Sequence, residues 1–146
     1  MLYGSAGRIE IRNGRGALIT FADVPFPSSG EFVVNSRQEL VWRRERLHYL
    51  DCSATSTHLF ALYSGRRDAT TPDGTPIPGA DDSRYIHVFG WDGKLVRVLE
   101  LDVGLVSLAV DEAESTIMGI GAGSASLYRM RLPRIGTTAL RTPGAR

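Results

Sequence analysis

The chain has one cysteine, one lysine and no long hydrophobic run, and each shortage narrows what it can be. With Cys52 alone no internal disulfide can form, so packing and hydrogen bonds must hold the fold, and the cysteine count is silent on compartment. Cys52 falls in a run that alternates apolar and polar residues, where burial as a small hydrophobe is expected. No apolar stretch approaches the roughly 20 residues that a membrane-crossing helix needs, so no membrane insertion is expected. Met1, Leu2, Tyr3 and Gly4 lead straight into strand-like sequence, without the charged start, apolar centre and small-residue cleavage site of an export signal. Lys94 is the sole lysine, so sixteen of the 17 basic residues are arginine, and against 16 acids the net charge is +1. That balance gives no overall field to gather nucleic acid or an anionic surface. Arginine suits phosphate recognition, but with acids interspersed and no stacked aromatics its excess reads as coding bias, and no nucleic-acid partner is expected.

A chain of 146 residues fits one domain, and at that size about 70% of the unfolded surface is buried if the topology closes around a core. Apolar residues recur with a period near 2, whereas the helical i, i+3, i+4, i+7 pattern is missing, so the fold class is all-β. "GRIEIRN" from Gly7 and "GALITF" from Gly16 flank Asn13-Gly14-Arg15-Gly16, whose glycines supply the positive φ of a hairpin turn. Prolines 25 and 27 with Ser28, Ser29 and Gly30 break the pairing before the short run "EFVVN" and the stretch "ELVWRRERL". "LHYLDCSAT" and "HLFALYSG" form the next pair across residues 55 to 57. Leu59, Ala61 and Tyr63 alternate with Phe60, Leu62 and Ser64, a strand apolar on both faces and therefore covered on both.

"YIHVFGW" and "KLVRVLELD" then turn about Asp92-Gly93, a strong hairpin signal that predicts a type I′ turn with both central residues at positive φ. "LVSLAVD", "STIMGIG" and "SLYRMRL" add three shorter strands, with Asp111, Glu112 and Glu114 as turn formers. From Pro133 to the end the periodicity is lost, so the domain is set at 1–132, with 133–146 a disordered tail. The four runs from Leu47 to Asp102 make one antiparallel unit, and the runs from Leu105 to Leu132 begin a second. One such sheet cannot bury two apolar faces alone, so the units are expected to stack face to face, as propeller blades do.

"YIHVFGWDGKLVRVLELDVGLVSLAVDEAESTIMGIG" resembles the closing part of the TolB-like six-bladed β-propellers, a bacterial family built around an Ihv-F-WDG hairpin followed by an apolar strand and "aVDE". "HLFALYSGRR" is similar to that family's "yiYaLysGr", and "GRIEIRNGRG" to its "glieiYdl". The resemblance runs from about Leu2 to Leu132. It implies a partial propeller of about three blades, the C-terminal part of a longer protein that is periplasmic or secreted when whole. A half ring exposes one blade face and a terminal sheet edge, so either the reading is truncated or two copies associate to complete a ring.

The candidate contact segment is Arg66 to Arg84, "RRDATTPDGTPIPGADDSR", about 20 residues of Pro, Gly, Asp and Thr where a hairpin takes 2 to 5. As a functional loop it offers Arg66, Arg67, Asp81 and Asp82 to a protein or small ligand. As a tolerated insertion it needs no function, because closure entropy grows slowly with length. Asp73-Gly74 and Asp111, Glu112 and Glu114 lack EF-hand spacing and read as turn chemistry rather than calcium ligands. His48, His58 and Cys52 share one hairpin, but out-of-register positions face opposite sides, so a Cys-His nucleophile is not expected. GxSxG, HExxH, P-loop and GxGxxG fingerprints are absent, and "GIGAGSAS" lacks a following helix, so no catalytic residue, metal or cofactor is expected. Trp91 abuts the turn, where packing on a neighbouring strand is its expected use. The sequence thus favours a non-catalytic binding or scaffold module. The alternative is a metal-dependent hydrolase or lactonase of the six-bladed type, with ligands from several blades over the axis.

Overall fold

Among the described residues of the computed structural model, period-2 patterning becomes eleven strands and no helix. The structure describes residues 2–3, 7–24, 32–34, 36–42, 46–67, 83–113, 115–121 and 125–132. The strands are β1 (Leu2–Tyr3), β2 (Arg8–Arg12), β3 (Leu18–Asp23), β4 (Phe32–Val34), β5 (Leu40–Trp42), β6 (Arg46–Ala54), β7 (His58–Arg67), β8 (Ser83–Gly90), β9 (Leu95–Asp111), β10 (Thr116–Gly121) and β11 (Leu127–Arg131). They form a three-stranded sheet β1-β2-β3, a two-stranded sheet β4-β5 and a six-stranded antiparallel sheet in the order β11-β10-β9-β8-β7-β6. The segments 68–82 and 133–146 lie outside the described residues, and with them Asp73-Gly74 and the predicted tail.

Both glycine-marked hairpins form, and the one at Asp92-Gly93 closes with a turn other than the expected type I′. In the β8–β9 hairpin Gly93 N–H donates to Gly90 O and Gly90 N–H to Lys94 O, each at 2.9 Å. Gly93 has φ +80°, whereas Asp92 is not at positive φ. This is the three-residue loop that ends in one left-handed glycine, not type I′. The β2–β3 hairpin repeats it, with Gly16 N–H donating to Asn13 O and Gly16 at φ +80°. In both, the second glycine carries the strained conformation.

The expected break between "KLVRVLELD" and "LVSLAVD" is a bend within one 17-residue strand. Tyr85 pairs with Glu100 but Ser83 pairs with Leu105, so residues 101 to 104 stand opposite the single Arg84. A bulge of that size swings the strand. The near half of β9 pairs with β8 and the far half with β10. The expected four-strand unit and the strands after it are therefore one sheet, curled into a half-barrel.

Inside the curl Phe60, Leu62, Ile86, Val88, Leu99, Leu101, Leu105, Leu108 and Ile117 form one core. On the outside of β6–β8, Tyr49, Leu59, Ala61 and Phe89 meet Ile9, Ile11 and Ala22 of the three-stranded sheet in a second. Strand β7 thus sends Phe60 and Leu62 to one core and Leu59 and Ala61 to the other, the two-sided burial its alternation predicts. Cys52 corrects the expectation of burial, because it is exposed. It pairs with Ala61 on the sheet's edge strand, and the covering residues Ile9, Ile11 and Ala22 pack over Tyr49 and Ala61 rather than over it.

Candidate functional site

Two hydrogen-bonded constructions hold the curl and its cover in place. The first is a seam between β6 and the far half of β9. The bend at 101 to 104 carries β9 away from β8 and leaves its next amides without a backbone partner there. Asp51 Oδ2 accepts the Ser107 hydroxyl at 2.6 Å and the Leu108 N–H at 2.9 Å. Ser53 Oγ accepts the Val110 N–H at 2.9 Å. Side chains of β6 do here what a neighbouring strand does elsewhere, satisfying amides that are costly to leave unmet. Asp51 reaches the seam because a bulge between Tyr49 and Asp51 shifts the β6 register.

Glu112 closes the end of the seam. Its carboxylate accepts the Ser56 N–H at 2.8 Å, the Ser56 hydroxyl at 2.9 Å and the Thr57 hydroxyl at 3.2 Å. Those bonds, led by the Ser56 amide, hold the Glu112 carboxyl below its ordinary range. Glu112 is thus a clamp on the β6–β7 turn. The same turn receives the Trp91 indole, whose Nε1–H donates to Ser56 O at 3.0 Å. The Trp91 hairpin also touches the covering sheet. A Cβ on Gly93 would lie 2.2 Å from Phe21 O of β3, so only glycine lets the two backbones approach this closely.

The second construction is an aromatic cluster between the two sheets. His87 stacks on Tyr63 with ring centroids 4.3 Å apart and planes at 21°, while Tyr49 and Phe89 meet it edge-on. Tyr49 Oη and His87 Nδ1 are 3.1 Å apart. His48, fully buried, lies 6.0 Å from the Tyr63 ring and beneath Gly7, where a Cβ would come within 3.1 Å of the imidazole. Burial lowers the His87 pKa to about 4 and, with the neighbouring Tyr63 and Asp23, raises that of Tyr49 well above its ordinary value. Both are uncharged at neutral pH and packed against rings, so the cluster fixes the sheet interface.

Arg66 and Arg67 end β7, their backbones paired with Leu47 and Arg46, and Asp81 and Asp82 lie outside the described residues. His58 is bonded within its own turn. Its carbonyl accepts the Thr55 N–H, and its Nδ1 is 2.9 Å from Thr57 Oγ1, while Cys52 sits opposite Ala61. No group of three or more metal-ligating side chains occurs among the described residues. A shallow cavity of about 250 Å³ on the outer side of β9–β11 is lined by Ala109, Met118, Ile120 and Leu127, with Ser107 at its rim. Among the described residues no titratable side chain lines it. The sequence reading passed over Asp51, Tyr49 and His87. His87 carried one signal, a place on the Phe89 face of an apolar strand, but the seam carried none, since Asp51 and Ser107 are far apart in the chain.

Fold and site together define an all-β module, a half-barrel sheet covered by a small second sheet. Against known proteins, no family model matches the chain and no curated protein matches it.

Proposed function

We propose that this chain is a non-catalytic binding or scaffold module, a partial TolB-like β-propeller of about three blades belonging to a longer protein. Its contacts with a protein or small ligand run through the end of β7 and the segment that follows it, with Arg66, Arg67, Asp81 and Asp82 among them. The observation that carries this reading is the double burial of β6–β8, with Phe60, Leu62, Ile86 and Val88 on one face and Tyr49, Leu59, Ala61 and Phe89 on the other. A sheet apolar on both faces is stable only between layers, as a blade is. The Trp91-Asp92-Gly93 hairpin adds to it, because the residues that carry the family resemblance also tie the β6–β7 turn to the covering sheet.

A half ring leaves a face to be covered, so outside the longer protein two copies are expected to associate. Light scattering coupled to size exclusion tests this, and the expected mass is that of a dimer. A compact monomer that melts cooperatively overturns the partial-ring reading. Metal analysis of purified protein separates the module from a hydrolase: stoichiometric calcium or zinc would favour the enzyme.

A further inference from the structure

The β10–β11 ladder fixes which backbone groups of β11 point away from the sheet. At one end Gly121 N–H donates to Ser126 O, and at the other Leu132 N–H donates to Ser115 O. Bonded and non-bonded pairs alternate in an antiparallel ladder. Tyr128 and Met130 therefore bond to β10, whereas Leu127, Arg129 and Arg131 turn their N–H and C=O groups outward. Among the described residues no strand pairs with that edge.

The side chains at the outward positions have a pattern of their own. Leu127 is 73% exposed, and Arg129 and Arg131 are exposed beyond it. All three share the face of the Ala109, Met118 and Ile120 cavity, since Ile120 stands opposite Leu127 and Met118 opposite Arg129. On the other face Tyr128 and Met130 pack at the margin of the curled core. We infer that this edge receives an extended partner strand by antiparallel addition, and that the partner carries acidic residues opposite Arg129 and Arg131 and an apolar one opposite Leu127. Its alternate residues, beside Tyr128 and Met130, are apolar as well.

Backbone bonds supply the attachment in such a complex and the alternate side chains supply the choice of partner. Arg129 is also engaged within the chain, but a guanidinium carries five donors and can hold a second carboxylate. The same charges disfavour two of the registers in which a copy of this edge could pair with it. Two-fold pairing centred on Arg129 sets Arg129 against Arg129, a shift to Met130 sets Arg129 against Arg131, and like charges directly opposite are unfavourable. The assignment stands on the β10–β11 register and the exposed side chains of Leu127, Arg129 and Arg131, and is independent of how many blades the sheets make.

The test uses the full chain and two fluorescein-labelled nine-residue peptides, one alternating glutamate with valine and one alternating lysine with valine. Fluorescence anisotropy should show saturable binding of the glutamate peptide at least tenfold tighter than the lysine peptide, weakening as salt is added. Arg131→Glu should reverse or erase the preference. Arg129→Pro removes an outward donor, a change edge strands tolerate, and should weaken glutamate-peptide binding at least fivefold. As a readout free of any variant, hydrogen exchange at the Leu127, Arg129 and Arg131 amides should slow on adding that peptide. Equal binding of the two peptides, or unchanged exchange at those three amides, overturns the assignment.

Discussion

Lowering the pH should destabilise the protein through His87, and the size of the effect can be worked out. His87 is 4% exposed and is stacked on Tyr63 with Tyr49 and Phe89 at its edges. Burial lowers its pKa from the ordinary 6.5 to about 4. In the unfolded chain the imidazole takes up a proton near pH 6.5, while in the folded chain it resists until about pH 4. The neutral ring's contribution is therefore complete above pH 6.5 and is lost progressively as pH falls towards 4, with no further loss below that. At 1.36 kcal/mol per pH unit this linkage is worth at most about 3 kcal/mol, a large share of the 5–15 kcal/mol typical of a domain.

Urea unfolding followed by circular dichroism, at fixed protein concentration and at steps from pH 7.5 to 4.5, measures it for the natural protein and for His87→Phe. The variant leaves the Tyr49 hydroxyl without its partner and should be less stable at pH 7.5 by about 1–2 kcal/mol. It should lose less with acid, so the two curves converge as pH falls. A His87→Phe, Tyr49→Phe double variant should recover part of the neutral-pH loss while keeping the flatter profile. Parallel curves across the range, or an imidazole NMR titration of His87 with a midpoint near 6.5, would refute the reasoning.

Gly93 and Gly16 make a matched pair, both at φ +80°, but a Cβ at Gly16 meets nothing within 4 Å while one at Gly93 meets the Phe21 carbonyl. Gly16→Ala should cost about 1–2 kcal/mol from the left-handed backbone alone, and Gly93→Ala at least about 1 kcal/mol more in chemical denaturation, since β3 must move. Equal losses would deny the contact. Asp51→Ala removes the acceptor of Ser107 Oγ and Leu108 N and should cost about 2 kcal/mol, with amide exchange at Leu108 and Val110 speeding up ahead of the core. Unchanged exchange there would mean that the seam does not hold β9. Trp91→Phe keeps a ring but loses the bond to Ser56 O, and should lower stability by about 1 kcal/mol while leaving the far-ultraviolet spectrum unchanged.

Strand positions were legible because a strand announces itself locally. Alternation placed β2, β3, β6, β7, β8, β10 and β11, and two-sided apolarity along Leu59 to Leu62 told that β7 lies between layers. Turn residues marked where hairpins close but not which turn closes them, since the three-residue loop and the two-residue type I′ turn draw on the same Asp-Gly chemistry and differ in loop length and in the φ of Asp92. The sequence by itself determined an all-β chain, its hairpins and the two faces of its central strands, all properties of neighbours within a few residues. Only the tertiary structure decided that Leu95 to Asp111 is one bent strand, that Asp51 and Ser53 serve its amides, that His87 sits under Tyr49 and that Cys52 lies beyond the edge of the covering sheet. Those outcomes depend on how far one layer extends over another and on contacts between residues 38 to 57 positions apart, and no local pattern encodes either.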